Sequence, residues 1–179
     1  MLGDENTLYI SEELNALDSL EWAVKFIQET KDNTLAWKWV VLSLNNALYE
    51  WAICACKGTN YENVLTKGRK LISFWEAINR CKNPEKMKMT ASSKHLKLTS
   101  DQEESIKMLH DVLRNNLEHF IPKNWFIGIG GFPKIASDVL EIIRFLALES
   151  GNYIKLTYEE RGEVEKLVSD GLTFLSENY

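Results

Sequence analysis

Residues that break regular structure are scarce in this chain: of its 179 residues only 3 are proline and 9 are glycine. Long elements joined by few tight turns follow from that shortage. Cysteine is also rare. Cys54, Cys56 and Cys81 make an odd number with no Cys-x-x-Cys spacing, which argues against a disulfide framework and a thiolate zinc site and reads as reduced, buried thiols. No stretch approaches the roughly 20 apolar residues of a membrane span. The opening Met1-Leu2-Gly3-Asp4-Glu5-Asn6 carries neither the positive charge nor the apolar core of a secretory signal. The expectation is a soluble, cytoplasmic protein with no membrane partner. A basic excess is lacking too: the net charge of −5 counts against tight non-specific binding to nucleic acid. Strand-like alternation is absent, and the one β-rich patch, Trp125 to Ile129, is short and ends in glycines.

What is present is an ordinary globular composition, 45% hydrophobic and 26% charged, with six Trp, six Tyr and seven Phe as bulky core fillers. One domain over residues 1–179 fits this length. The periodicity is helical nearly throughout. Ser11 caps a first helix whose stripe is Leu14, Leu17, Leu20, Val24 and Ile27. A second helix, from about Asn33 to Lys57, is apolar on almost every side and so belongs at the centre, with Gly58 as its stop. A third is predicted from about Tyr61 to Cys81. Ser100-Asp101-Gln102-Glu103 is a capping-box sequence opening a fourth helix, which Pro122 ends. Pro133 suits the first turn of a fifth, and Thr157-Tyr158-Glu159-Glu160 opens a last one. The prediction is an all-α, up-and-down bundle of five to six helices over residues 11–148, with an additional C-terminal helix over 157–177.

Between the third and fourth helices lies a charged interruption. Lys82 to Thr99 carries five lysines against one glutamate, net +4, which leaves −9 for the remaining residues. It reads as a solvated loop, with or without a partner.

The most pointed chemistry is Arg114-Asn115-Asn116-Leu117-Glu118-His119, with Phe120-Ile121-Pro122 following at once. Arg grips phosphate oxygens through a planar fork, and His moves protons near neutral pH. On a regular helix five residues turn about 140°, so the two would not share a face unless the last turn before Pro122 loosens. The competing reading pairs Arg114 with Glu118 one turn on and has His119 cap a terminal carbonyl. Asn46 and Glu50 interrupt the apolar second helix, and a buried Glu50 would need a partner, for which Arg114 is a candidate. His110 precedes Arg114 by one turn. Lys123 and Trp125 could hold a phosphate and stack a base, although such a Trp more often fills a core or an interface. Gly128-Ile129-Gly130-Gly131 lacks the Lys-Ser/Thr of a phosphate loop and reads as a turn, and His95 has no assigned role. No spacing supports a metal site, and no cofactor is expected.

The segment Arg114-Asn115-x-x-x-His119 resembles the signature of the HEPN superfamily (higher eukaryotes and prokaryotes nucleotide-binding domains): Arg, four to six residues, then His, with a polar residue directly after the Arg. His119-Phe120-Ile121-Pro122 and Trp125 are similar to one bacterial branch of it. As pattern the likeness runs from about residue 12 to 148, and it is specific over 113–125. It implies a metal-independent endoribonuclease whose site is composite, formed where two protomers join their motif helices. His119 would be the general base or acid for attack by the RNA 2′-hydroxyl. Arg114 would stabilise charge on phosphorus, and Asn115 would position the phosphate or the histidine. Beside what the resemblance implies, the residues themselves offer Glu50 as support and Lys123 and Trp125 as substrate-binding groups. The implied partners are RNA, a second copy and an antitoxin protein. The alternative it implies is a non-catalytic module binding a nucleotide, RNA or protein.

Overall fold

The computed structural model describes residues 7–119, 122, 124–152 and 154–179. Among these the regular structure is helical, and the one β feature is an isolated antiparallel bridge between Leu65 and Leu71. Helix α1 (Glu12–Glu29) starts where the Ser11 hydroxyl accepts the Leu14 N–H at 3.2 Å, with Glu12 and Glu13 in the first turn. Helix α2 (Ala36–Lys57) runs antiparallel to it: Lys57 at its end lies 3.1 Å from Glu13 and 3.3 Å from Glu12 at the start of α1. Gly58 ends α2 at φ +55°. Trp37, Val40, Val41, Leu44, Leu48 and Trp51 are all buried, so α2 is the central post. It packs against α1, against α3 (Phe74–Lys82), against the middle of α5 (Ser100–Glu118) and against α6 (Phe132–Arg144). Helix α7 (Tyr158–Asn178) closes the bundle across α1 and α6, capped by the expected Thr157 and Glu160 box. A short α4 (Pro84–Met87) follows α3.

Helix α5 is one rod in three consecutive stretches: α-helical Ser100–Lys107, π-helical Met108–Arg114 and α-helical Asn115–Glu118. A second π stretch, Phe145–Glu149, ends α6. Neither is visible in the apolar period. The capping box of α5 is shifted by one residue from the expected one, with Thr99 as the cap and Gln102 reaching back to it. The second helix begins at Ala36, three residues later than expected.

Two expectations are corrected. The predicted third helix over 61–81 is a 3₁₀ turn (Tyr61–Val64), a bridged hairpin and only then α3. The turn Thr66-Lys67-Gly68-Arg69 breaks it: Arg69 sits at φ +56°, and the Thr66 N–H donates to the Lys70 carbonyl at 2.8 Å. The basic segment is also no unanchored loop. Met87 and Leu96 are buried, the Leu96 N–H donates to the Cys81 carbonyl at 2.7 Å, and the Lys94 N–H donates to the Ser150 carbonyl at 2.7 Å. Gly151, at φ +70°, turns tightly against the Ser92 backbone, where a Cβ would not fit.

The three thiols are free and buried. Burial pushes Cys54 up to about 12. Cys56 and Cys81 meet between α2 and α3 with Sγ atoms 3.4 Å apart; hydrogen bonding between them holds Cys56 down and drives Cys81 up.

Candidate functional site

The polar face of α5 is built around Arg114. Residues 110, 114 and 118 recur every four positions, so their side chains rise along one row. Arg114 is half-buried in that row. One terminal nitrogen donates to Asn115 Oδ1 at 2.9 Å, the other lies 2.6 Å from Glu118 Oε2, and its Nε is buried with no hydrogen-bond partner among the described residues. Asn115 is itself held, its Nδ2 donating to the Asp111 carbonyl at 3.1 Å. The guanidinium is thus fixed in orientation, and two of its three nitrogens are in use.

His119 ends the rod. It leaves helical geometry at φ −107°, ψ 51°, its N–H donates to the Asn115 carbonyl at 2.9 Å, and its side chain is exposed. Asn115 therefore links the two motif residues, by its side chain to Arg114 and by its carbonyl to His119. The Arg114–Glu118 pair foreseen as the competing reading is present; the cap at His119 is made by its backbone.

His110 belongs to this cluster. Its ring stacks on Phe74 at 3.8 Å between centroids and 5° between planes, and its Nδ1 lies 2.7 Å from Asn45 Oδ1, an acceptor, so the proton sits on Nδ1. Burial lowers its pKa below 6.5; Asp111 and Glu118 oppose that shift and Arg114 adds to it. Asp111 accepts from Trp75 Nε1 at 2.8 Å. Sequence reading had no signal for the roles of Asn45, Phe74 and Trp75, because those contacts join residues 35 to 65 positions apart in the chain; the stacked, oriented imidazole beside Arg114 is their product.

The remaining predicted residues lie apart. Glu50 does not pair with Arg114, which corrects that expectation. It faces α1, where its carboxylate accepts from Asn15 Nδ2, and it borders a cleft of about 480 Å³ with Tyr49, Tyr61 and Leu71. Burial raises its pKa, against the pull of Ser19 and Asn15. Asn46, its sequence neighbour by one turn, is exposed. Trp125 is half-buried against the core, the filler role weighed for it. Lys123, with Phe120 and Ile121, lies outside the described residues. Among the described residues no group of three His, Cys, Asp or Glu is placed to hold a metal, and no helix is long and apolar enough to cross a membrane.

Compared with protein-family models, curated proteins and solved structures, the chain matches none.

Proposed function

We propose that the chain is a metal-independent endoribonuclease of HEPN type, working through Arg114, Asn115 and His119. The observation that carries this reading is the Asn115 link: one residue at the end of one helix holds the Arg114 guanidinium by its side chain and the His119 backbone N–H by its carbonyl, with the imidazole left exposed. The chemistry follows from the groups. His119 takes the proton of an RNA 2′-hydroxyl, whose oxygen bonds to the adjacent phosphorus as the 5′-oxygen leaves, giving a cyclic phosphate end. Arg114 meets the charge that builds on the phosphoryl oxygens. The π-helical stretch beside these residues supports the reading, since such stretches concentrate at functional sites. For the composite site, Met108 (38% exposed) and Val112 (41%), one turn apart on α5, and Phe126 (92%) beyond it are exposed apolar side chains that a second copy would cover. The RNA target, and an antitoxin covering the same face, belong to the same proposal.

One observation favours the alternative, a non-catalytic module: Glu118 already occupies the Arg114 fork. The two separate in one assay. Purified protein is incubated with structured and single-stranded RNA in EDTA beside His119→Ala and Arg114→Ala. Cleavage to cyclic phosphate ends, lost in both variants, is the expected outcome. Binding with no cleavage by the unaltered protein refutes the nuclease and leaves the module.

A further inference from the structure

The basic segment presents a second site. Ser93, Lys94, His95 and Lys97 line a cleft of about 370 Å³ with Phe145, at the end of α6, as its aromatic wall. Three features make this more than a scatter of surface lysines. The segment is pinned from below by buried Leu96 and by the Lys94–Ser150 backbone bond, so its cationic side chains are presented from a fixed backbone. Lys94 and Lys97 have no carboxylate within ion-pair distance among the described residues, whereas Lys82 in the same segment is taken by Glu103. Glu141 on α6 and Glu149 in the π stretch after it are engaged by Arg144. On a chain of net −5, this cleft carries two ammonium groups without a counterion among the described residues.

We propose that this cleft seats one nucleotide of a single-stranded RNA, the base against Phe145 and the flanking phosphates on Lys94 and Lys97, with His95 as a further donor. A ring face beside two unpaired ammonium groups is the combination that holds unpaired strands with little regard to sequence. The inference deepens the nuclease reading and rests on it for the identity of the strand. Along the chain, the cleft residue Lys97 lies just before the start of α5 and the candidate site lies at its other end.

The test uses the full chain and a fluorescein-labelled 12-nucleotide 2′-O-methyl RNA, which cannot be cut by 2′-hydroxyl attack, read by anisotropy in EDTA across a salt series. Lys94→Gln with Lys97→Gln should weaken binding about tenfold at low salt and flatten the log–log salt slope by about 1.4, two phosphates at about 0.7 each. Phe145→Leu, which keeps apolar packing, should weaken binding about fivefold and leave the slope unchanged. Equal affinity and slope in all three proteins overturn the proposal. So does a 12-nucleotide strand that binds no tighter than adenosine monophosphate or inorganic phosphate, which would make the cleft a small-anion site. Cleavage is measured separately on unmodified RNA: lysine-dependent binding with no cleavage sinks the nuclease and keeps the cleft, and cleavage indifferent to the lysines does the reverse.

Discussion

Glu118→Gln puts the central tension of the site to the test, because Glu118 holds the fork that a phosphate would need. The pair is short, 2.6 Å, but its side chains are 28% and 33% exposed, and it lies at i,i+4 with Arg first, the weaker order. Glu118 also sits in the last turn of the rod, at the negative end of the helix dipole, which disfavours an acid. A pair of this kind is worth about 0.3–0.5 kcal/mol, and relief of the dipole offsets part of that. The variant should therefore melt within a degree or two of the parent. For RNA the same change removes a competing negative charge from the guanidinium. Worth about 0.5–1 kcal/mol, it should raise kcat/KM two- to fivefold in EDTA. The assay is cleavage of a short labelled RNA, paired with a thermal melt. If Glu118→Gln loses activity as completely as Arg114→Ala while still folding, Glu118 is part of the working site and the competition argument fails.

Gly151→Ala must adopt φ +70° and push its Cβ into the Ser92 backbone, a loss of about 2 kcal/mol or more and about 4–8 °C in Tm by calorimetry; an unchanged Tm would mean the turn relaxes freely. His110 contributes pH-dependent stability: its folded pKa is lowered by burial, so the contribution is complete above the unfolded value near 6.5 and is lost as pH falls through the folded value. Urea melts from pH 7.5 downward should show that loss in the parent and less of it in His110→Gln. Alkylation by iodoacetamide at pH 8, followed by mass spectrometry, should label none of the three buried cysteines within minutes in the native protein and all three in denaturant, since burial shields all three and Cys54 and Cys81 are in addition held well above the ordinary thiol range in the fold.

Local chemistry was legible where it acts over three or four residues. Ser11, Gly58 and the Thr157–Glu160 box end or start helices where their side chains and backbone angles require. The Arg114–Glu118 pair was readable for the same reason. The third helix misled because Val64, Leu71, Trp75 and Ile78 keep a helical spacing across a turn that breaks it. The partner of Glu50 was hidden because Asn15 lies on another helix, 35 residues away. The anchoring of the basic segment depends on backbone groups of Cys81 and Ser150, which no side-chain pattern records.

The wide winding of Met108–Arg114 has a consequence for inheritance. A π turn accommodates more residues than an α turn without lengthening the rod in proportion. Excising one codon there, with Arg114 kept, would let the stretch relax to ordinary α geometry with later side chains close to their present places around the axis, because the wide turn absorbs about one extra residue. A deletion in the flanking α-helical turns would instead swing every later side chain about 100°. Gaps within the wide stretch are therefore the ones that descendants of this chain should tolerate best, and gaps beside it the ones they should tolerate least.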